Sequence, residues 1–469
     1  MDINPKIFKA YDIRGIYPTE INEETITAIA KATYTFFLNQ LKTNKQLTVV
    51  MGYDMRTSSP SLFPIAKKAF IDMGAKVIDI GLISTPSFYF SVFHYGYDAG
   101  FQVTASHNPK EYNGAKFVMN SPQGLIKIGK STGMEDVKNM AIEGRFADPM
   151  PGGTEEKKDG ILEAEVTSAL SILDNPIINK YKIVADTANA MGAQYIQALF
   201  ERVPADLIKM NFEFDGTFPA HQPDPLNFAN LVDLQKKVLE EKADFGLAPD
   251  GDGDRLFFID DLGHVVQASI ITSIISKEFL KKHPGATILF DIRYILSARK
   301  IIEENGGKSD ITKVGHAFIT EAMHKTGAIF AGESSAHYFY KDTGNGENQL
   351  MTILTVLKVM SQENKKLSEL VEEYTRAYES TEFNFRVTNA PEILSSLKEK
   401  YKDGELSELD GVSVTYPDWR FNVRTSNTEP LLRLNVEAYD KSIMESKRDE
   451  LMAFIKSMAK EDTTSHEHH

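Results

Sequence analysis

The sequence predicts an α/β protein of three similar mixed α/β domains followed by a smaller C-terminal α+β domain, and three observations carry that prediction. An apolar strand ending in Asp, a helix-like segment and a later strand that delivers a dense polar motif occur in that order three times. Strand–helix alternation of this kind means parallel α/β units, whose ligands gather at the carboxyl ends of the strands. After about residue 370 the pattern changes to apolar–polar alternation, the mark of half-buried antiparallel strands. At 469 residues the chain is also too long for a single core.

The elements follow in order. Residues 8–15 mix aromatic, charged and Gly positions and read as a strand leading into a loop. A helix is predicted over 23–41, then a β-rich run over 47–54 that ends in Asp54. The stretch 54–60 has helix-start chemistry, and its helix runs to about Met73. Strands at 76–80 and 99–103 complete the first copy, and the second of them opens onto Thr104-Ala105-Ser106-His107-Asn108-Pro109. The second copy has a strand at 181–186 ending in Asp186, a helix over 193–200 and a strand at 243–248 before Asp250-Gly251-Asp252-Gly253-Asp254-Arg255. The third has a strand at 287–291 ending in Asp291, a helix, a strand around 312–314, and a strand at 328–331 before Gly332-Glu333-Ser334-Ser335-Ala336-His337. Alternating strands at 382–387, 412–416, 420–423 and 432–436 and an amphipathic helix over 442–459 form the last unit. Pro149-Met150-Pro151-Gly152-Gly153 is a candidate first boundary.

Composition narrows the function classes. A net charge of -14 argues against nonspecific binding to nucleic acid or to an anionic membrane surface. Any anionic substrate must therefore be held by a local cluster of Arg, Lys and backbone N–H groups. With 0 Cys there is no disulfide, no thiolate metal site and no Cys nucleophile. The first residues lack the apolar core of a signal peptide and no apolar run approaches transmembrane length, so the expected location is cytoplasmic. The tail 461–469 is polar and expected to be disordered, and its histidines are given no chemistry.

Four motifs carry the chemistry. Ser106 sits in a small-polar loop after a strand; it is either a turn hydroxyl or an oxygen nucleophile or phosphate carrier at the mouth of a sheet. Asp250, Asp252 and Asp254 alternate with glycines, and three converging carboxylates repel unless a cation such as Mg²⁺ joins them. A solvated acidic turn is the plainer alternative. An EF-hand loop ending at Asp261 is the weaker rival, because Arg255 stands where Gly is needed. Glu333, Ser335 and His337 alternate and, if the chain is extended there, point the same way, as a site for sugar hydroxyls requires. Arg424, Ser426, Asn427 and Thr428 in one turn offer a guanidinium, hydroxyls and an amide to a phosphate dianion, or form a plain polar turn. Ser106 makes a poor hydrolase nucleophile: Gly-x-Ser-x-Gly is absent, and in an extended chain the adjacent His107 points to the opposite face. A Ser near metal ligands and a separate phosphate clamp suits phosphoryl transfer better.

Taken together, 104–109, 250–255, 332–337 and 424–430, with the opening Tyr11-Asp12-Ile13-Arg14-Gly15, resemble the α-D-phosphohexomutases in order and spacing across the whole chain, most closely the bacterial phosphomannomutase/phosphoglucomutase group. The resemblance implies four domains around a central cleft: 1–150 with a phosphoserine loop, 151–256 with a metal loop, 257–370 with a sugar loop and 371–469 with a phosphate loop. It implies a phosphoryl group on Ser106 and Mg²⁺ held by Ser106, Asp250, Asp252 and Asp254. Hexose 1- and 6-phosphates would interconvert through a hexose 1,6-bisphosphate, which also serves as activator. Glu333 and Ser335 would bind sugar hydroxyls, and the Arg424 turn would grip the other phosphate. Tyr11, His107, Arg255, Arg293 and His316 match further substrate-binding positions, and Arg14, Lys116 and His337 match catalytic ones, with Lys116 or His337 for the proton work. Phosphoglucosamine mutase is the alternative within the family. The partners implied are small-molecule sugar phosphates, with no nucleic acid and no membrane, and the chain is expected to be a monomer or weak homo-oligomer. Three departures stand out: Ala336 where Gly is common, Arg293 where some relatives have Lys, and residues 343–348 in place of an Asp-Asp-Gly-like element.

Overall fold

The computed structural model describes residues 3–43, 45–426 and 431–460. The first helix shows how local chemistry sets an element. It forms as Glu23–Leu41, with the Asn22 side chain accepting from the N–H of Glu24 and Thr25, and Glu23 and Glu24 complement the positive end of its dipole.

The threefold order is real, and it is one architecture used three times. In the first unit the strand Thr48–Tyr53 lies parallel to Lys76–Leu82 on one side and to Ala99–Val103 on the other. In the second, Tyr181–Asp186 lies between Ala205–Met210 and Phe245–Pro249, again in parallel. In the third, Thr287–Asp291 lies between Lys308–Thr312 and Phe330–Gly332. Each polar motif then closes a hairpin back along the sheet. Ala99–Val103 pairs antiparallel with Tyr112–Ser121, Phe245–Pro249 with Leu256–Asp260, and Phe330–Gly332 with Tyr338–Tyr340. Each sheet is therefore mixed, and each chemical loop is the turn between its last parallel strand and an antiparallel return. The C-terminal unit is antiparallel throughout, in the order Tyr378–Glu379, Leu431–Ala438, Trp419–Thr425, Val412–Thr415, Glu405–Ser407, with the helix Lys441–Met458 packed on it.

Several expectations change. Residues 8–15 run the other way round from the prediction: a loop comes first, and the strand is Ile13–Ile16, paired with Tyr112–Ser121. The first sheet continues past residue 150 through Thr154–Lys157, an exposed edge strand without the apolar residues that would mark it in sequence. The second sheet continues past residue 256 to Val265–Val266. The tail 461–469 lies outside the described residues. Among the described residues no helix is long and apolar enough to cross a membrane.

The units share cores unequally. Apolar residues from Val166 to Ala377 form one continuous cluster, so the second and third units are packed as a single body. The first and the C-terminal units have their own clusters. Glu165, on the helix Ile161–Ile172, is buried where three units meet: Ser87 Oγ of the first unit donates to it at 2.5 Å and Asn348 Nδ2 of the third at 3.4 Å.

Burial pushes the Glu165 carboxyl up to about 7, against a partial offset from Ser87. A folded-state value above the unfolded one means stability that is complete in acid and lost as pH rises through about 7. Unfolding midpoints in urea should therefore fall between pH 5 and 8, with Glu165 contributing up to about 3 kcal/mol of the change. Glu165→Gln should flatten the curve by that share; an unchanged slope would mean that Glu165 ionises freely in the folded chain.

Candidate active site

Ser106 begins the site, and a buried guanidinium shapes its loop. Arg56 is fully buried. It donates to the carbonyls of Ser106 and Asn108 at 2.6 Å each, of Pro109 at 2.8 Å and of Tyr112 at 3.0 Å. Its own counter-charge is Asp54 at 3.3 Å, and Asp54 also accepts from Thr104 Oγ1 at 2.7 Å. Four carbonyls converging on one cation force a tight loop, and Ser106 takes φ +52, a left-handed conformation that costs a non-Gly residue about 1–2 kcal/mol. The bend overturns the expectation for His107. The chain is not extended there, both side chains fall on one side, and Ser106 Oγ and His107 Nδ1 are hydrogen-bonded at 3.2 Å.

The acidic turn meets this loop from the second unit. A Cβ at Gly251 would lie 2.4 Å from the Ser106 carbonyl oxygen, so only Gly allows the two turns to approach so closely. Asp250, Asp252 and Asp254 are buried, with one oxygen from each within 4.8 Å of the others. Lys116, from the strand after Ser106, places Nζ 2.6 Å from both Asp252 Oδ2 and Asp254 Oδ2. Asp250 Oδ2 and Asp252 Oδ1 are buried without a hydrogen-bond partner. Asp261 is not part of the cluster: it sits beyond the strand Leu256–Asp260 and accepts from Ser368 N at 3.0 Å.

The third unit adds a turn rather than the extended segment expected. Ala336 has φ +65, and the turn it makes brings Glu333 Oε2 and Ser335 Oγ each to 3.0 Å from His337 Nδ1. His337 Nε2 reaches across to Asp254 Oδ1 at 3.2 Å. Arg293 reaches Asp291 Oδ1 at 2.9 Å, Ser335 Oγ at 3.3 Å and Glu333 Oε1 at 3.4 Å. His316 opens the helix His316–Thr326 and packs against Tyr11, with ring centroids 5.2 Å apart.

Ser106, Lys116, Asp254, Arg293, His316, Glu333, Ser335 and His337 line one cavity of about 1010 Å³ that also receives Arg14, His107, Arg255, Arg424 and Ser426, while Asp250 and Asp252 lie outside its lining. Arg14 is set by Asp12 at 2.7 Å and by Asn108 at 2.5 Å. Asn427 and Thr428 lie outside the described residues. Sequence reasoning missed Arg56, Arg433 and Glu382. Arg56 had a signal in its place after the strand-ending Asp54; Arg433 is opposite Arg424 only once Trp419–Thr425 and Leu431–Ala438 are in register. It also left residues 343–348 without a role. That segment is a strap to the first unit: Gly344 O accepts from Leu125 N at 2.7 Å, and the buried Glu347 pairs with Lys127.

The sequence matches the phosphoglucomutase/phosphomannomutase family in four consecutive segments: alpha/beta/alpha domain I over 5–136, domain II over 167–263, domain III over 267–378 and the C-terminal domain over 382–454. The chain belongs to this family. A phosphomannomutase of Escherichia coli is 36% identical over 461 residues, covering 96% of this chain and 99% of that protein. A phosphomannomutase of Methanocaldococcus jannaschii is 38% identical over 96% of this chain and 97% of its own length. The crystal structure of a phosphoglucomutase/phosphomannomutase family protein from Burkholderia thailandensis superposes with a TM-score of 0.86 at 28% identity, over 98% of this chain and 99% of that one. The three α/β units and the antiparallel C-terminal unit are thus the phosphoglucomutase/phosphomannomutase architecture.

Charge in this site is strongly coupled. Burial disfavours the Lys116 ammonium, but Asp252 and Asp254 outweigh it and hold the group well above its ordinary value. Burial likewise opposes the His337 imidazolium, yet Asp254 and Glu333 lift it to about 9. His107 is driven well below its ordinary value by burial and by Arg255 and Arg14. At neutral pH Lys116 and His337 are therefore charged and His107 is neutral. Burial and its two acidic neighbours raise Asp250 well above the usual carboxylate range. The residues fit a divalent cation: two orphaned buried carboxylate oxygens remain beside a spot where an ammonium already sits between two acids.

Two outcomes test this site. Arg56→Lys cannot hold four carbonyls in a plane, so it should destabilise the chain by about 3 kcal/mol and reduce turnover about a hundredfold, read by urea unfolding and steady-state kinetics. Titration calorimetry with Mg²⁺ should show one strong site whose affinity falls at least about tenfold in Asp252→Asn; an equal affinity in the variant would place the cation elsewhere.

Proposed function

We propose that this chain interconverts hexose 1-phosphates and hexose 6-phosphates, with Ser106 as phosphoryl carrier and a hexose 1,6-bisphosphate as intermediate. The observation that carries this reading is one cavity lined both by Ser106 and by the Arg424–Arg433 pair. Ser106, with the acidic turn behind it, is on one wall and Arg424 is on another. A substrate with one phosphate at each end needs such a pair of sites.

Cleft charge agrees. Its lining has seven Lys and Arg against five Asp and Glu, in a chain whose net charge is -14. A dianionic sugar phosphate is thus drawn to the cleft rather than to the surface.

The residues divide the work. Arg424 and Ser426 hold the phosphate that does not react, through contacts that do not read the sugar. Glu333, Ser335 and Arg293 face the sugar hydroxyls. The sugar hydroxyl attacks the phosphorus carried on Ser106, a new O–P bond forms and the P–Oγ bond breaks. One proton passes from the hydroxyl to Ser106 Oγ: Lys116 or His337, both protonated at rest, gives a proton to Oγ as it leaves and regains one from the attacking hydroxyl. Arg14 and Arg255 offset charge on the transferring group. Mg²⁺ bound by Asp250, Asp252, Asp254 and the Ser106 phosphoryl group would add to that neutralisation. After the intermediate turns round, its other phosphate returns to Ser106 and the clamp takes the one just made.

A coupled assay with mannose 1-phosphate, glucose 1-phosphate and glucosamine 1-phosphate, each with catalytic 1,6-bisphosphate, tests the reaction. Isomerisation of at least one is expected, and release of free phosphate without isomerisation would make the chain a phosphatase instead. Ser106→Ala should lose at least about 10³-fold in kcat while still binding substrate; full activity in that variant would remove Ser106 from its role.

A further inference from the structure

Arg424 and Arg433 are direct cross-strand partners on Trp419–Thr425 and Leu431–Ala438, so their side chains share one face of the sheet. Like charges directly opposite each other repel, and the pair needs an anion to hold it in place. The structure supplies one from the same unit. Glu382 Oε2 accepts from Arg424 Nη2 at 3.0 Å, and its Oε1 lies 3.1 Å from Arg433 Nη1. One guanidinium per carboxylate oxygen is also how a phosphate would bridge the two. Glu382 lines the cleft beside both arginines and stands just before the strand Phe383–Arg386, which pairs with Leu431–Ala438 and fixes its position. Burial opposes its charge, but Arg293, Arg424 and Arg433 outweigh burial and keep the carboxylate ionised.

We propose that Glu382 is a built-in counter-anion of the phosphate clamp, which holds Arg424 and Arg433 together between turnovers and weakens their grip on the substrate phosphate so that it can be released. This rests on the reading of the clamp given above. Glu382 lowers by one the positive charge that the two guanidiniums would otherwise present to a phosphate. A mutase must let go of this phosphate in every cycle, when the intermediate turns round. Grip that is equal in ground and transition states lowers KM without raising kcat, and excess grip slows release. Glu382 is a positioning residue: it acts through the arginines and leaves the reacting atoms alone.

The test uses the full chain with inorganic phosphate as the probe, followed by titration calorimetry, and steady-state kinetics with the sugar phosphate that the coupled assay selects. Glu382→Gln keeps the shape and removes the charge. It should bind phosphate about three- to tenfold more tightly, with KM falling and kcat unchanged or lower. Glu382→Ala should tighten phosphate binding in the same sense, which keeps the test open if the amide does not fold. Adding Arg433→Met to Glu382→Gln should abolish the gain. Unchanged or weaker phosphate binding in both single variants overturns the proposal, as does a gain that survives Arg433→Met. A purely structural role gives weaker phosphate binding and a higher KM, the opposite signs. A native chain that binds phosphate as expected but isomerises no sugar phosphate would sink the mutase reading and leave the calorimetric result standing.

Discussion

One ammonium group, Lys116 Nζ, holds the Ser106 end of the cleft together. It reaches from the first unit to two carboxylates of the second, each at 2.6 Å, and one of these, Asp254, is bound in turn by His337 of the third. Buried charges are tolerated only when paired, so none of the three units can move away from the others without leaving a charge stranded. That is why loops from separate sheets keep a common geometry. The strap at 343–348, with its own buried Lys127–Glu347 pair, repeats the device between the first and third units.

The same bookkeeping explains how an acidic protein can line a cleft with more cations than acids. The cleft gathers cations from all four units, Lys9, Arg14 and Lys116 from the first, Arg255 from the second, Arg293 from the third and Arg424 and Arg433 from the last. Acids inside the cleft are used singly and against arginine, as in Asp12 with Arg14 and Glu382 with Arg424 and Arg433. The acidic turn is the exception, and there three carboxylates meet one lysine and the imidazolium of His337.

Much of this was legible in the sequence, because strand-ending acids and polar motifs recur at equivalent places. Elements with strong periodicity or clear caps, such as Glu23–Leu41 and Tyr181–Asp186, lie where the pattern put them. What could not be read depended on backbone signs and on register. Nothing in Ser106-His107 announces a left-handed serine; that conformation follows from Arg56, fifty residues earlier in the chain. Alternation in Glu333-Ser334-Ser335-Ala336-His337 suggested an extended segment, whereas the convergence comes from a turn through Ala336. Arg433 and Glu382 are remote or isolated in sequence and meet only when the last sheet forms.

Each of the three chemical loops is a hairpin turn whose two ends are locked by ladders, one parallel and one antiparallel. A residue exchanged within such a turn leaves the strand register untouched. The unit used three times therefore presents three polar turns to one cavity, each anchored by the strands of its own sheet. A substitution in one turn changes what that turn offers the cavity while the strand pairing of all three sheets stays in place.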